Sequence, residues 1–222
     1  MVSIFPLAEC WFDLDERPSL LRAPVLMSRY LKEPVAPGIV LKSSRSWTTV
    51  VDLSRPYDDI RTGYNRRTKR GLNKFDRTDL ELRRNDLSPD QVYAEVEAFI
   101  RRKGYADPPK KKVYRNRWPF LWHNYVRDPS NGAIVCLQVY FVGRDTFRCL
   151  YITNNPEYAD ISSDATRAIH DDAIQYMMDK LTWYDLGGIV LDEEDPRWGI
   201  SQFKMGFGGE TQETYSYVSI NV

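Results

Sequence analysis

Three runs rich in β-branched and aromatic residues, 122–127, 133–142 and 147–153, follow one another across short polar turns, and this succession constrains the fold most. The connections at 129–132 (Pro-Ser-Asn-Gly) and 143–145 (Gly-Arg-Asp) are hairpin-length, so the three strands run antiparallel. A helix follows over about 163–180, with Ala165, Ile169, Ala173 and Met177 at spacings of four on one face. The chain then enters a strand at 183–189 that ends in a glycine turn. Antiparallel strands mixed with a crossover helix specify a mixed α/β sheet.

Upstream, residues 47–53 are rich in β-branched side chains and read as a strand. Residues 57–76 read as a helix with Ile60, Tyr64, Thr68, Leu72 and Phe75 on one face and a row of basic residues elsewhere. Gly71 lies inside it, costs about 1 kcal/mol against alanine, and marks a place for a break. A short strand is expected at 80–83. The next helix has the clearest signals: Ser88 as N-cap, Pro89 at the first position, Gln91 completing a capping box, a stripe of Val92, Val96, Phe99 and Ile100, and Gly104 as terminator. Residues 107–112 read as a solvated loop, 198–207 as a short helix and 214–220 as a final strand. Prolines at 6, 18, 24, 34 and 37 interrupt a segment that is otherwise rich in apolar residues (Ile4, Phe5, Leu20 and Leu21 among them). Residues 1–46 therefore read as an irregular arm packed on one domain, 47–222, with no internal repeat.

Composition narrows the function classes. Lysine plus arginine equals aspartate plus glutamate, 31 against 31, so the general basicity of a nucleic-acid binder is missing. Two histidines, His123 and His170, exclude a His-rich metal site, and Cys10, Cys136 and Cys149 lack metal-ligand spacing. Cys136 and Cys149 fall in apolar strand runs and read as buried structural thiols. No signal peptide or membrane-length apolar stretch is visible, which points to a reduced, cytoplasmic setting.

Two motifs in order carry a family resemblance. Residues 184–189 (Tyr-Asp-Leu-Gly-Gly-Ile), followed by 199–210 (Gly-Ile-Ser-Gln-Phe-Lys-Met-Gly-Phe-Gly-Gly-Glu), resemble the Tyr-Asp-x-Gly-Gly and Phe-Lys-x-x-Phe-Gly elements of FemAB-like proteins within the GNAT superfamily. Residues 50–54 and 68–76 resemble the strand and basic helix that open the family's catalytic domain. The similarity covers roughly 47–222 and implies a GNAT-like N-acyltransferase fold with splayed central strands. FemAB enzymes proper carry two such domains, and single-domain relatives that acylate amino sugars from acyl-CoA are nearer in size.

By that resemblance the donor's pantetheine lies along the strand edge at Tyr151, Ile152 and Thr153. Its pyrophosphate sits on the start of the following helix, at Ser162, Ser163, Asp164, Thr166 and Arg167, where free N–H groups and the helix dipole favour an anion. Those residues also read simply as a helix start, and the family's usual glycine-rich phosphate turn is missing. Lys204 is implied as the cation for an oxyanion or a phosphate, against the alternative of a solvated helix lysine. Asp185 orients the acceptor amine or caps the glycine turn. His123 takes the ammonium proton or is a structural strand histidine. Arg66, Arg67 and Arg70 grip a phosphorylated acceptor or form a solvated helix face, and Trp122 and Tyr184 would stack on a base. No metal is implied.

The resulting expectation is transfer of an acyl group from acyl-coenzyme A to a nucleotide-linked amino sugar, a small-molecule acceptor, in surface-polysaccharide (O-antigen or capsule) biosynthesis. Two alternatives stay open: an aminoacyl-tRNA-dependent aminoacyltransferase, with tRNA the one nucleic-acid partner, and a non-catalytic binding module of the same fold.

Overall fold

The structure is a computed structural model that describes residues 2–4, 7–12, 25–34, 39–104 and 107–220. Phe5, Leu20, Leu21 and the prolines at 6, 18, 24 and 37 lie outside the described residues. Contacts group the chain into two compact units, residues Met1–Val50, Leu186–Met205 and Glu210–Val222 in one, and Val51–Asp185 with Gly206–Gly209 in the other.

The first unit is built on strands β1 (Val2–Ile4), β2 (Leu7–Trp11), β3 (Val25–Leu31), β4 (Ile39–Asp52, to Val50 in this unit) and β10 (Glu210–Ile220). They lie in the order β1-β2-β3-β10-β4, antiparallel except for the parallel β2–β3 pair. The segment expected to be irregular thus contributes three strands, and the strand expected from residue 47 begins at Ile39. Residues 39–45 are exposed and show no apolar alternation, and β4 is held there by a long ladder from Glu210↔Val50 to Ile220↔Ile39. Cross-strand pairing rather than a buried face makes that stretch a strand, which is why its side-chain pattern is silent. Helix α6 (Trp198–Met205) belongs to this unit, and Ser201 Oγ accepts from the Val190 N–H at 2.8 Å.

The second unit holds β5 (Glu81–Arg84), β6 (Leu121–Arg127), β7 (Ile134–Val142), β8 (Thr146–Asn154) and the first residues of β9 (Trp183–Ile189), in the order β9-β8-β7-β6-β5. The three expected hairpin strands are β6, β7 and β8, all antiparallel, and β9 pairs with β8 in parallel after the crossover through α5 (Ser162–Met177). Val126, Val135, Leu137, Val139 and Phe147 of the sheet and Ala165, Ile169, Ala173 and Ile174 of α5 are 0% exposed and form the core. Cys136 and Cys149 are buried cysteines outside any disulfide, as their apolar setting indicated.

The helix expected over 57–76 is two helices, α1 (Tyr57–Thr62) and α2 (Arg66–Phe75). The break falls at Gly63–Asn65 rather than at Gly71, and Asn65 caps α2 by accepting from the Thr68 N–H at 2.8 Å. Gly208, at φ +71°, has no room for a side chain, since a Cβ there would lie 2.7 Å from the Gly63 carbonyl. Helix α3 (Pro89–Lys103) has the expected ends: the Ser88–Gln91 capping box and Gly104 in the left-handed conformation. The expected loop at 107–112 instead leads into α4 (Lys111–Arg117), which buries Tyr114 and pairs Lys111 with Asp90 at 3.1 Å. One ring against the core suffices for so short a helix, and the lysine run 110–112 at its start masked it.

Candidate functional site

Strands β8 and β9 share only three ladder pairs, ending at Arg148↔Asp185, while β8 continues to Asn154. Tyr151 and Ile152 are half-buried there and Thr153 is buried. A 3₁₀ turn at Pro156–Tyr158 leads into α5, whose N-cap position is Ile161 with no side-chain cap. The Thr166 hydroxyl donates back to the Ser162 carbonyl at 2.7 Å and lies 3.3 Å from Asn154 Oδ1, tying the helix to the strand end.

The start of α5 already holds an anion. Asp164 pairs with Lys74 of α2 at 3.2 Å and with Arg167 at 3.3 Å. The Arg167 head group also donates to the Ser163 carbonyl (2.9 Å) and hydroxyl (2.6 Å), with its side chain 8% exposed. Burial pulls its pKa down, and the charge of Arg67 adds to that pull. Gly71 explains the packing. A Cβ at Gly71 would lie 2.6 Å from Arg167 Cδ and 2.8 Å from Asp164 Oδ1, so the glycine is the gap through which Arg167 folds between α2 and α5. A carboxylate, Asp164, lies in the first turn of α5, at the favourable end of the helix dipole. The residues present therefore do not fit a coenzyme A pyrophosphate as they stand.

Several expected contact residues turn inward. Tyr184 is fully buried, stacked on Phe147 with ring centroids 4.2 Å apart, and its hydroxyl meets His170 Nδ1. Trp122 is covered by a parallel ring, Tyr176, at 5.3 Å. Neither presents a free face for a base. Asp185 forms an ion pair with Arg148 at the last β8–β9 ladder position, both side chains about 5% exposed or less. His123, 1% exposed, accepts from the Leu87 N–H through Nε2 at 3.2 Å, and burial depresses its pKa to about 4. A nitrogen committed to a backbone amide has no lone pair left for a substrate proton. His170, expected on the surface or in packing, is 0% exposed.

Arg66 and Arg70 do come together. With Lys69, Asn73, Lys74 and Arg77 they line an open depression of about 520 Å³ along α2. The spacing of three, four, seven and eight residues places Arg66, Lys69, Arg70, Asn73 and Lys74 on one helix face, and Arg77 follows just past the helix end. Arg67 is exposed but outside this lining. Lys204, in the first unit, donates to the Gly188 carbonyl at 2.8 Å and so braces the glycine pair near the end of β9.

One cluster had no sequence signal. Asp171 of α5, 8% exposed, accepts from the hydroxyls of Tyr57 at 2.8 Å and Tyr64 at 2.9 Å and from Gln175 Nε2 at 3.2 Å. Burial raises its pKa against the opposing pull of those hydrogen bonds and of Arg61. Arg148 was likewise missed, although an arginine between Phe147 and Cys149 in an apolar strand asks for a buried acid.

The architecture is of the mixed α/β class expected from the sequence. No family model matches the chain, and no curated protein sequence is recognisably similar. Solved structures share its fold. FemX superposes with a TM-score of 0.65 at 11% identity, over 94% of this chain and 75% of FemX. The C-terminal domain of a putative lysylphosphatidylglycerol synthetase from Agrobacterium fabrum gives 0.58 at 11% identity, over 92% of this chain and 70% of that one. L-PGS from Bacillus licheniformis gives 0.56 at 10% identity, over 89% and 68%. Among the described residues no helix is long and apolar enough to cross a membrane.

Proposed function

We propose that the protein forms an amide by transferring an acyl or aminoacyl group to an amine. The observation that carries this reading is the fold shared with FemX over nearly the whole chain. In support, the three-pair β8–β9 ladder gives the short parallel contact expected of splayed donor-binding strands. The reaction needs an uncharged amine, a held acyl carbonyl and a stabilised oxyanion. Lys204 remains the candidate cation for the oxyanion.

The donor reading shifts. Asp164 and the inward-folded Arg167 weigh against a coenzyme A diphosphate at the start of α5. The cationic face of α2, with Arg66, Lys69, Arg70 and Lys74, and Arg77 just past its end, suits a longer run of phosphates, so an aminoacyl-tRNA donor gains over acyl-CoA. A nucleotide-linked amino sugar remains the acceptor reading, its diphosphate competing for the same arginines.

The test offers the protein acyl-CoAs and charged tRNA in parallel with nucleotide-linked amino sugars, and follows thiol release and N-acylated product by mass spectrometry. Product from charged tRNA alone supports the shifted reading, and product from acyl-CoA alone restores the original one. Absence of product with either donor overturns both.

A further inference from the structure

The basic face of α2 is charged against itself. Arg66, Arg70 and Lys74 follow one another at single-turn intervals of about 6 Å, with Lys69 beside them and Arg77 just past the helix end. Like charges three and four residues apart on a helix repel, and α2 carries no acidic residue to alternate with them. Arg66 and Arg67 also stand in its first turn, at the positive end of the helix dipole, where a carboxylate is the favoured occupant.

Little within the chain answers this charge. Among the described residues, Asp164 is the acid that reaches a cation of the α2 depression, at 3.2 Å from Lys74. Lys69 and Lys74 are anchored on the carbonyls of Thr62 at 2.9 Å and Asp160 at 3.2 Å. Arg66, Arg70 and Arg77 make no side-chain hydrogen bond or ion pair among the described residues. All three line the depression of about 520 Å³, and among the described residues no apolar or aromatic side chain lines it with them. A lipid tail has nothing to lie on there, and a base has nothing to stack on. Guanidinium forks in a concave row are matched by phosphates, which arginine grips through two parallel hydrogen bonds.

We infer that the α2 depression binds a run of phosphates by charge, blind to any base or acyl chain attached to them, and that the occupant relieves the repulsion within α2. A single phosphate answers one neighbouring pair of cations and leaves the others opposed, so a run is needed. The inference rests on the phosphate reading of this helix face and adds what the face recognises and what its occupancy does to the fold. The same chemistry is offered by an RNA strand and by a free condensed phosphate such as tripolyphosphate. Either is measurable without any transfer reaction.

The probes are orthophosphate, tripolyphosphate, and short oligo(A) and oligo(U) RNAs, titrated into the full chain by calorimetry at low salt. Tripolyphosphate is expected to bind at least about tenfold more tightly than orthophosphate, because it meets several of the cations at once. The two RNAs should agree within about threefold, since phosphate contacts carry no base information. Their affinity should fall with salt along a log–log slope of about −2, the value for some three phosphate contacts on a single strand. Joint Arg66→Gln and Arg70→Gln should weaken tripolyphosphate and RNA at least about tenfold and raise the thermal midpoint of the free protein, because glutamine keeps the helix and removes the repulsion. Tripolyphosphate no tighter than orthophosphate, a preference above about tenfold for one base, undiminished binding in the double variant, or a lowered midpoint in that variant overturns the inference. Tighter binding of RNA than of tripolyphosphate makes an RNA strand the source, and the reverse makes it a free condensed phosphate. Phosphate binding without product from any donor would sink the transfer reading and leave this site standing. Undiminished product from charged tRNA in the double variant would sink the site and leave the transfer reading standing.

Discussion

Replacing Gly71 by alanine tests how α2 and α5 are packed, because the structure reverses the sign that helix propensity alone predicts. In an exposed helix interior the change stabilises by about 1 kcal/mol. Here the new Cβ would meet Arg167 Cδ at 2.6 Å and Asp164 Oδ1 at 2.8 Å. Both atoms belong to one tied network, so relief means either overpacking, about 1–3 kcal/mol, or loss of charge-assisted hydrogen bonds, about 1.5–3 kcal/mol. After the propensity gain, a net destabilisation of up to about 2 kcal/mol is expected. In urea with a slope of about 2–3 kcal/mol/M that is a midpoint drop of up to roughly 1 M. Repeating the exchange in an Arg167→Ala background should remove most of the penalty, a coupling of about 1–2 kcal/mol. A stabilised Gly71→Ala, or the same effect in both backgrounds, refutes the packing described.

Two other perturbations follow from buried charge. Asp185→Asn leaves the Arg148 guanidinium buried opposite a neutral group and should cost about 3–5 kcal/mol, while joint replacement of the pair by apolar residues should recover most of it in chemical denaturation. A single mutant within 1 kcal/mol of wild type would show that water reaches the pair. His123 is held neutral in the fold, with its pKa depressed to about 4 against an ordinary 6.5. The unfolded chain binds the extra proton first, so stability from neutral His123 is complete above about pH 6.5 and is lost as pH falls towards 4. The advantage of wild type over His123→Gln should shrink by about 2 kcal/mol between pH 7 and pH 4.5. A constant difference would contradict the buried neutral ring.

What was legible in the sequence was whatever local chemistry decides. The Ser88–Gln91 box, Gly104 and the apolar stripe of α5 each act within a turn or two of helix, and each appears where the residues put it. Strands β6, β7 and β8 announced themselves by β-branched runs and hairpin-length turns. Strand β4 before residue 47 did not, because its exposed residues are held by a partner far along the chain. The site suffered the same limit. Asp171 gains its meaning from Tyr57 and Tyr64, 114 and 107 residues away, and nothing near it in the sequence names them. Arg167, Tyr184 and Trp122 are residue types that bind ligands when open, and burial by Gly71, Phe147 and Tyr176 takes them out of that role.

The central claim, amide formation on an amine, is tested most directly by mass spectrometry of the acceptor after incubation with each donor. A product heavier by the acyl or aminoacyl group is predicted, stable to mild base as an amide and made more slowly by folded Lys204→Ala. Unmodified acceptor with charged tRNA and with acyl-CoA alike would contradict it.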